Sequence, residues 1–592
     1  MNYAVDLLFA RVLLGAATLF GLVLALGVLA PRSWSRPETL PPLRLARGIA
    51  YSVARNAVLA GVAIFTIAAI SGAANGVLQL PIPSVNDEFA YLLGADTFAQ
   101  GRLANPQHPM CHHFATFSGS HEPANASKDP PAASAFLAVG QVFFGHPWWG
   151  QLLAFSLAAA AVAWMLRAWV GPRWAQVGGV LVALHPVMQH FSRYDYNWSN
   201  YSWSHSYWGG SVTMMGAALL FGGLRRFVRN ERAFDVLWMG IGLALLAHSR
   251  PFEGFIAAIP AAWVMARHLL RSRPGWGAFI GRVAVPLAAV LLPALFFGLQ
   301  YNETTTGSPL RLAHQHYAEQ YGSAAELLVQ SPRTPPETYR NREMGRFYMG
   351  WVRPAFDAQR HSFEHYWNFK SVGIERFAWF YFGVMTPALL FALTIVHRPW
   401  WRLAFGLLFV SMGLVFVTFE FHPHYSATVA PLIQALIAIG LARLWHVSGR
   451  FRLQARLLVL VLIVLGTVPR VFDLPSEEEP VLPEDWPRVR QTIVEDLEKL
   501  PGKDLVVVTY LPEHSVFREW VKDGADLDQA SVVWARDLGT EASRERLLDY
   551  YSDRRVWVLK ADMVPPALTR LKSEVDQQPA AAPAPARDLE TG

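Results

Sequence analysis

The chain of 592 residues contains a single cysteine, Cys111. One thiol forms no intrachain disulfide and builds no zinc site of several thiolates, so both kinds of cross-link are excluded. Charge is also scarce, since Asp, Glu, Lys and Arg together make up 16% of the residues. The C-terminal part has no Gly-rich phosphate loop, which leaves a nucleotide-binding domain without support.

Apolar residues, by contrast, make up 53% of the chain. They are grouped in blocks of about 17 to 25 residues, the length that crosses a hydrocarbon core of about 30 Å. The first block, near residues 7–30, has no basic segment before it and no small-residue cleavage site behind it, so we expect a retained helix. The composition therefore predicts an all-α, polytopic membrane protein.

The length criterion predicts about twelve transmembrane helices. They lie near residues 7–30, 55–78, 148–168, 174–191, 206–224, 234–249, 251–268, 277–300, 373–397, 402–420, 426–446 and 454–472. The net charge of +6 comes from arginines between these blocks, which suits short cytoplasmic loops rather than a nucleic-acid-binding surface. The apolar stretch 132–144 is too short to span and is predicted to be an interfacial or re-entrant helix.

Threading the chain by its arginines leaves the polar segments on the outer face. They are the first outer loop 81–147, the segment 191–205, the long outer loop 301–372 and the region beyond about residue 475. Two outer turns add ionisable and aromatic side chains, namely Arg250, Glu253, His422, His424 and Tyr425. Snorkelling or helix capping explains any one of them equally well, but several on one face favour a shared site.

Aromatic residues crowd the segment 191–208, which ends with Tyr207 and Trp208. An interfacial aromatic belt explains them, and stacking against a sugar ring is the alternative. The first outer loop also contains four histidines that are candidate metal ligands, His108, His112, His113 and His121. Pro106 and Pro109 interrupt the helix that the spacing of the first two would need, so a metal site is not favoured.

The C-terminal region alternates between helical and strand patterns. An amphipathic helix near 486–500 precedes strands at 504–510, 531–534 and 555–559, which predicts a three-stranded α/β unit. We place the domain borders at 1–473 for the membrane domain and 474–575 for this small extracytoplasmic domain. The Ala/Pro-rich tail 576–592 is predicted to be disordered.

An ordered set of residues runs through the first outer loop: Asp87, Glu88, Phe89, Tyr91, Gly101, Pro106, Lys128, Pro130, Pro131, Phe144 and Gly145. In this order the loop resembles the GT-C superfamily of membrane glycosyltransferases. Its pattern is similar to that of the protein O-mannosyltransferases and the lipid A aminoarabinose transferases, and other segments look like a bacterial subgroup. Asp129 is inserted after Lys128, where it would move the ammonium group or pair with it. The loop lacks the Asp-x-Asp element of the metal-dependent branch, so the resemblance implies no divalent cation.

The resemblance implies a GT-C-like helix arrangement and an inverting glycosyltransferase. It would move a sugar from a polyprenyl-phosphate donor to an envelope acceptor on the periplasmic face of a bacterial inner membrane. Asp87, assisted by Glu88, would act as general base on the acceptor hydroxyl. Arg250, Lys128 and Arg311 would bind the donor phosphate. The remaining candidate substrate contacts are Tyr91, His113, Tyr207, Trp208, Glu253, Tyr301, His422, His424 and Tyr425.

No metal or other cofactor is expected, and the partners are membrane lipids, the lipid-linked donor and an acceptor that stays open, as does the sugar. A lipid-linked glycan ligase or polymerase is one alternative. A transporter of the lipid-linked sugar is another, although internal repeats typical of transporters are not visible. A non-catalytic scaffold is the third. Release of free polyprenyl phosphate would separate a transferase from these alternatives.

Overall fold

The computed structural model describes residues 3–190, 202–472, 474, 482, 485–522 and 524–571. Most of the predicted aromatic segment and the predicted disordered tail lie outside the described residues. The chain forms two compact units. The first comprises Met1–Pro109, Ala115–Pro480 and Asp523–Ala525, and the second comprises Met110–Phe114, Val481–Lys522 and Asp526–Gly592.

The first unit is built from helices. Those in its N-terminal part are Tyr3–Gly27, Pro41–Arg55, Ala57–Leu78, Asn86–Ala99, Pro131–Phe144, Trp148–Trp169, Pro172–Ala183 and Gly210–Asn230. Those that follow are Ala233–Ala247, Pro251–Ser272, Trp276–Phe279, Val285–Thr306, Ala313–Tyr321, Arg342–Gly345, Arg353–His361, Phe363–Tyr381, Thr386–Ala392, Pro399–Val417, Ala430–Trp445 and Arg452–Leu465. Two π-helical segments, Ile280–Ala284 and Arg346–Val352, interrupt this second group.

Local sequence explains where several of these helices begin. Pro131 and Pro251 stand in the first turn of their helices, where the fixed φ of proline suits the helix and its missing N–H is not needed. Asn56 caps the Ala57–Leu78 helix, because its side chain accepts hydrogen bonds from the backbone N–H groups of Val58 and Leu59. These start signals separate consecutive apolar segments that composition alone would run together.

In the described part of the chain, five helices are long and apolar enough to cross a membrane by length and composition, and the bent pair Phe363–Tyr381 and Gly383–Ile395 would make six. The five are Tyr3–Gly27, Ala57–Leu78, Trp148–Trp169, Trp276–Thr306 and Pro399–Val417. The chain is thus an integral membrane protein, but the predicted count of about twelve spans is not confirmed. Every predicted span contains a helix, yet some are short. Pro172–Ala183, for example, has only 12 residues, fewer than a span requires.

The predicted short apolar helix is present as Pro131–Phe144. It ends at Gly145, whose φ of 76° suits glycine, and the chain then turns into the Trp148–Trp169 helix. These two helices touch closely: a Cβ added to Gly150 would lie 1.8 Å from the carbonyl oxygen of Phe136. Only glycine permits this approach, which fixes the short helix and the loop that precedes it.

The second unit contains a four-stranded sheet. The strand order is Val532–Arg536, Asp504–Thr509, Arg555–Lys560 and Ala567–Arg570, with the first three parallel and the last antiparallel to its neighbour. The helices Trp486–Glu498 and Glu541–Tyr550 complete it, together with the short helix Cys111–Phe114. The three predicted strands are present. The fourth was missed because its sequence, Ala-Leu-Thr-Arg, lacks a run of β-branched and aromatic residues.

Candidate active site

Asp87 and Glu88 lie in the first turn of the Asn86–Ala99 helix, where the helix dipole favours negative charge. Asp87 is partly exposed, and its Oδ1 lies 2.8 Å from Nζ of Lys128. Burial raises the pKa of Asp87, but the charges of Lys128, His422 and Arg250 outweigh this effect and leave the pKa below its usual value. Asp87 is therefore an ionised carboxylate at neutral pH, and the oxygen that pairs with Lys128 is Oδ1.

Glu88 has a different environment although it is the next residue. Its side chain is 4% exposed, and its two oxygens accept hydrogen bonds from the backbone N–H groups of Ser84 and Tyr207, at 3.0 and 3.1 Å. Burial raises the pKa of Glu88 to about 7. Tyr207 in turn donates its hydroxyl to the carbonyl of Pro81 at 2.8 Å. Glu88 therefore ties the start of the helix to the Tyr207 segment.

Lys128 is placed by the loop that ends the two-stranded hairpin Gly119–Ser120 and Ala126–Ser127. Its backbone N–H donates to the carbonyl of Ser118, and its Nζ lies 5.5 Å from the centre of the Tyr317 ring. The hydroxyl of Tyr348 donates to that of Tyr317 at 2.9 Å. Burial lowers the pKa of Lys128, but Asp87 and Asp129 raise it above its usual value, so the ammonium stays charged.

Arg250 precedes the Pro251–Ser272 helix. Its guanidinium lies 4.8 Å from the centre of the Tyr425 ring, which brings the two predicted outer turns together. The backbone N–H of Ala132 donates to the carbonyl of His248 at 2.9 Å, so the loop that carries Lys128 is joined to the turn that carries Arg250. Burial lowers the pKa of Arg250, but the charges of four neighbouring groups raise it above its usual value. These groups are Tyr91, Glu253, Tyr425 and Asp129.

The turn at 420–425 supplies a cluster of rings. The rings of His422 and His424 are stacked with centroids 5.6 Å apart, and Trp208 lies 4.4 Å from His424. Burial lowers the pKa of His424 well below its usual value, so this imidazole is neutral. His422 contributes to the low pKa of Asp87, which places the cluster beside the carboxylate.

The other predicted contacts are distributed more widely. Tyr91 and Tyr301 are buried, and the charge of Asp129 acts on both. Arg311 is about half exposed and pairs with Glu319 at 3.5 Å. His113 belongs to the second unit, where it hydrogen-bonds to the carbonyl of Arg536 and to Ser543. The structure thus gathers Asp87, Glu88, Tyr91, Lys128, Tyr207, Trp208, Arg250, Glu253, Tyr301, His422, His424 and Tyr425, while Arg311 and His113 have partners elsewhere.

Three residues of this site were not among the predicted contacts: Asp129, Tyr317 and Tyr348. The insertion after Lys128 predicts that Asp129 moves the ammonium group or pairs with it, not that it contacts substrate. No sequence signal distinguishes the two tyrosines from the others of the long outer loop. Among the described residues, no group of three or more His, Cys, Asp and Glu side chains is arranged to hold a metal ion.

The fold is similar to that of two solved membrane proteins. ArnT from Cupriavidus metallidurans in the apo state has a TM-score of 0.46 at 12% identity over 84% of this chain and 92% of that one. The structure of the same protein bound to undecaprenyl phosphate has a TM-score of 0.45 at 12% identity, and the match covers 84% of this chain and 93% of that one. The oligosaccharyltransferase of Archaeoglobus fulgidus, in complex with Zn and sulfate, has a TM-score of 0.44 at 12% identity. The match covers 75% of this chain but only 60% of the length of that protein.

The chain is thus similar in fold to ArnT and to an oligosaccharyltransferase. No family model matches the chain, and no curated protein matches it. Because the TM-scores are below 0.5, we base the proposed function on the geometry of the site.

Proposed function

We propose that this protein is an inverting glycosyltransferase that moves a sugar from a polyprenyl-phosphate donor to a hydroxyl group at the outer face of the membrane. The observation that carries the proposal is the group formed by Asp87, Lys128 and Arg250. It combines an ionised, accessible carboxylate with two cations in one site. A carboxylate that accepts a proton and cations that bind phosphate are the two requirements of this reaction.

In the proposed reaction the acceptor oxygen attacks the anomeric carbon from the side opposite the phosphate. A new C–O bond forms as the bond from that carbon to the phosphate oxygen breaks, and the electron pair stays on the phosphate. The hydroxyl proton passes to Asp87, whose Oδ2 is available because Oδ1 holds Lys128. The leaving phosphate is a stable anion, so the site needs no general acid.

Lys128 and Arg250 have distinct parts in this mechanism. Lys128 is a point charge that holds Asp87 in position and lies close to the negative charge that develops. Arg250 offers a planar guanidinium for bidentate binding of phosphate oxygens. Glu88 orients the start of the helix through backbone hydrogen bonds, so it positions Asp87 instead of reacting. The two cations suit a donor whose sugar is carried on a lipid phosphate.

The membrane orientation remains part of the proposal. The predicted topology puts Asp87, Lys128, Arg250 and Tyr425 on the periplasmic side, and the structure brings the four residues together in space. A cysteine scan of exposed loop residues against an impermeant thiol reagent in intact cells would test the orientation. Labelling of the inner arginine-rich loops from outside would contradict it.

The central test measures free polyprenyl phosphate released by the purified protein from a lipid-linked sugar. Asp87→Asn should lower turnover by about 10²- to 10⁴-fold, because the general base is lost. Glu303→Gln is the matched control, since Glu303 is an exposed carboxylate on the Val285–Thr306 helix, and should keep full turnover. A transporter would release no polyprenyl phosphate, and a ligase would require a diphosphate donor. Full activity of Asp87→Asn would remove Asp87 as the base.

A further inference from the structure

Asp129 is the residue inserted between Lys128 and the two prolines, and its position is well defined. Its backbone N–H donates to Ser127 Oγ at 3.1 Å, and Pro130 restricts the backbone conformation of Asp129, the residue before it. Its side-chain Oδ2 is buried and, within the described part of the chain, accepts no hydrogen bond. Buried carboxylate oxygens almost always have a donor, so this atom requires an explanation.

The charged and titratable groups that face Asp129 come from several elements of the first unit. They are Asp87 and Tyr91 of the Asn86–Ala99 helix, Lys128 (the residue before Asp129), Arg250 before the Pro251–Ser272 helix, Tyr301 and His314. Lys128 is already paired with Asp87 at 2.8 Å. Among the groups whose charge acts on Asp129, Lys128 and Arg250 are permanent cations, and their two charges balance those of the Asp87 and Asp129 carboxylates.

A phosphate group disturbs this balance. When a lipid phosphodiester enters beside Arg250, three negative charges face two positive ones in a partly buried site, where charge interactions are screened less than in water. Asp87 is held ionised by Lys128, whereas burial and the neighbouring Asp87 carboxylate raise the pKa of Asp129 to about 6. Asp129 is thus the carboxylate that is more readily neutralised.

We propose that Asp129 takes up a proton when the donor phosphate binds, so that its buried oxygen becomes a hydrogen-bond donor to a phosphate oxygen. This inference rests on the proposed function, because it assigns a phosphodiester to the same site. The proton comes from solvent, no covalent bond changes, and Asp87 remains free to receive the acceptor proton. Asp129 is then a specificity residue: the site accepts one added negative charge, and it does so through a proton.

The test uses farnesyl methyl phosphate, a diester whose single charge does not change between pH 5.5 and 7.5. Its affinity for the purified full-length protein is measured across this range. The wild-type affinity should fall about five- to tenfold as pH rises, which is the change expected if binding raises the pKa of Asp129 by about one unit. Asp129→Asn should lose most of this pH dependence, because the amide does not titrate, and Glu303→Gln should behave as the wild type.

Calorimetry of the wild type in two buffers of different ionisation enthalpy gives the proton count without a variant. Uptake of a fraction of a proton per diester near pH 7 is expected, and no uptake would overturn the inference. The same pH dependence in Asp129→Asn as in the wild type would overturn it too, while leaving the phosphate site intact. Absence of diester binding at every pH would instead refute the proposed function.

Discussion

Two carboxylates of the second unit, Asp504 and Glu519, have more hydrogen-bond donors than two carboxylates of the first unit, Asp87 and Asp129. In the second unit, Asp504 is 1% exposed, and it accepts hydrogen bonds from Arg555 and from the Trp557 indole. Glu519 likewise accepts from Tyr510, Arg536 and the backbone N–H of Val521.

In the first unit, within the described ranges, Asp129 keeps a buried oxygen without a donor, and Asp87 pairs with Lys128 through one oxygen. A carboxylate whose two oxygens both have donors holds a fold together, because each hydrogen bond offsets desolvation. A carboxylate with an oxygen left over is available to a ligand. This difference separates Asp504 and Glu519, which stabilise the second unit, from Asp87 and Asp129, to which we assign parts in the proposed reaction.

We expect the largest effect from a substitution that breaks the buried ion pair of Glu519 and Arg536 in the second unit. Glu519→Ala leaves Arg536, which is 1% exposed, as a buried charge without its carboxylate, and should lower the free energy of unfolding by about 3–5 kcal/mol. Faster hydrogen–deuterium exchange in the Asp504–Thr509 strand would report the loss. Asp496→Ala removes an exposed partner of Lys499 and serves as the control. Unchanged exchange in Glu519→Ala would mean that satisfied charges do not stabilise this unit.

Removing the guanidinium of the outer site should affect turnover instead. Arg250→Ala should reduce donor turnover by about 10²- to 10³-fold, or about 2.7–4 kcal/mol, because a preorganised charge is lost where negative charge develops. Arg250→Lys keeps the charge but loses bidentate geometry and should give an intermediate rate. Steady-state turnover and the melting temperature are measured together. A large drop in melting temperature with unchanged turnover would reverse the contrast between the two units.

Glu88 belongs to the outer site, as Asp87 does, but both of its oxygens accept hydrogen bonds, as those of Glu519 do. Glu88→Gln replaces one acceptor oxygen by an amide that cannot accept from a backbone N–H, which should cost about 1–3 kcal/mol of stability. The pKa of Glu88 is about 7 in the folded protein and 4.5 ordinarily. Its contribution is therefore complete below pH 4.5 and is lost as pH rises through 7.

Thermal unfolding between pH 4.5 and 8 checks the behaviour of Glu88. The wild type should lose stability over this range by more than Glu88→Gln does, because the amide does not titrate. Parallel curves for the two proteins would show that Glu88 does not hold a proton in the folded state.

The smallest effect is expected at Arg311, the predicted phosphate contact that the structure pairs with Glu319. Arg311 is engaged by Glu319 and not by the group of Asp87, Lys128 and Arg250. Arg311→Ala should therefore change donor affinity by less than about fivefold, which corresponds to about 1 kcal/mol, the upper end for an exposed ion pair. Binding of farnesyl methyl phosphate measures it. A loss as large as that of Arg250→Ala would show that Arg311 moves into the site when donor binds.

Much of the candidate site could be predicted from the sequence, because its residues have local signatures. Asp87 and Glu88 stand at a helix start, and Arg250 stands at the outer end of an apolar segment. The roles of the two acidic neighbours could not be separated in this way, because only the packed structure shows that Glu88 accepts two backbone hydrogen bonds. The partner of Lys128 could not be predicted either. Lys128 pairs with Asp87, which is 41 positions away along the chain, and not with the adjacent Asp129.

The sequence by itself determined which segments become helices, where the three parallel strands lie and where ionisable residues interrupt the apolar blocks. These features depend on composition and periodicity within short windows. The tertiary structure decided how many helices reach spanning length, added the fourth strand, and placed His113 in the second unit. It also decided which charges meet. Contacts between distant segments depend on how whole helices pack, and a local pattern carries no information about that packing.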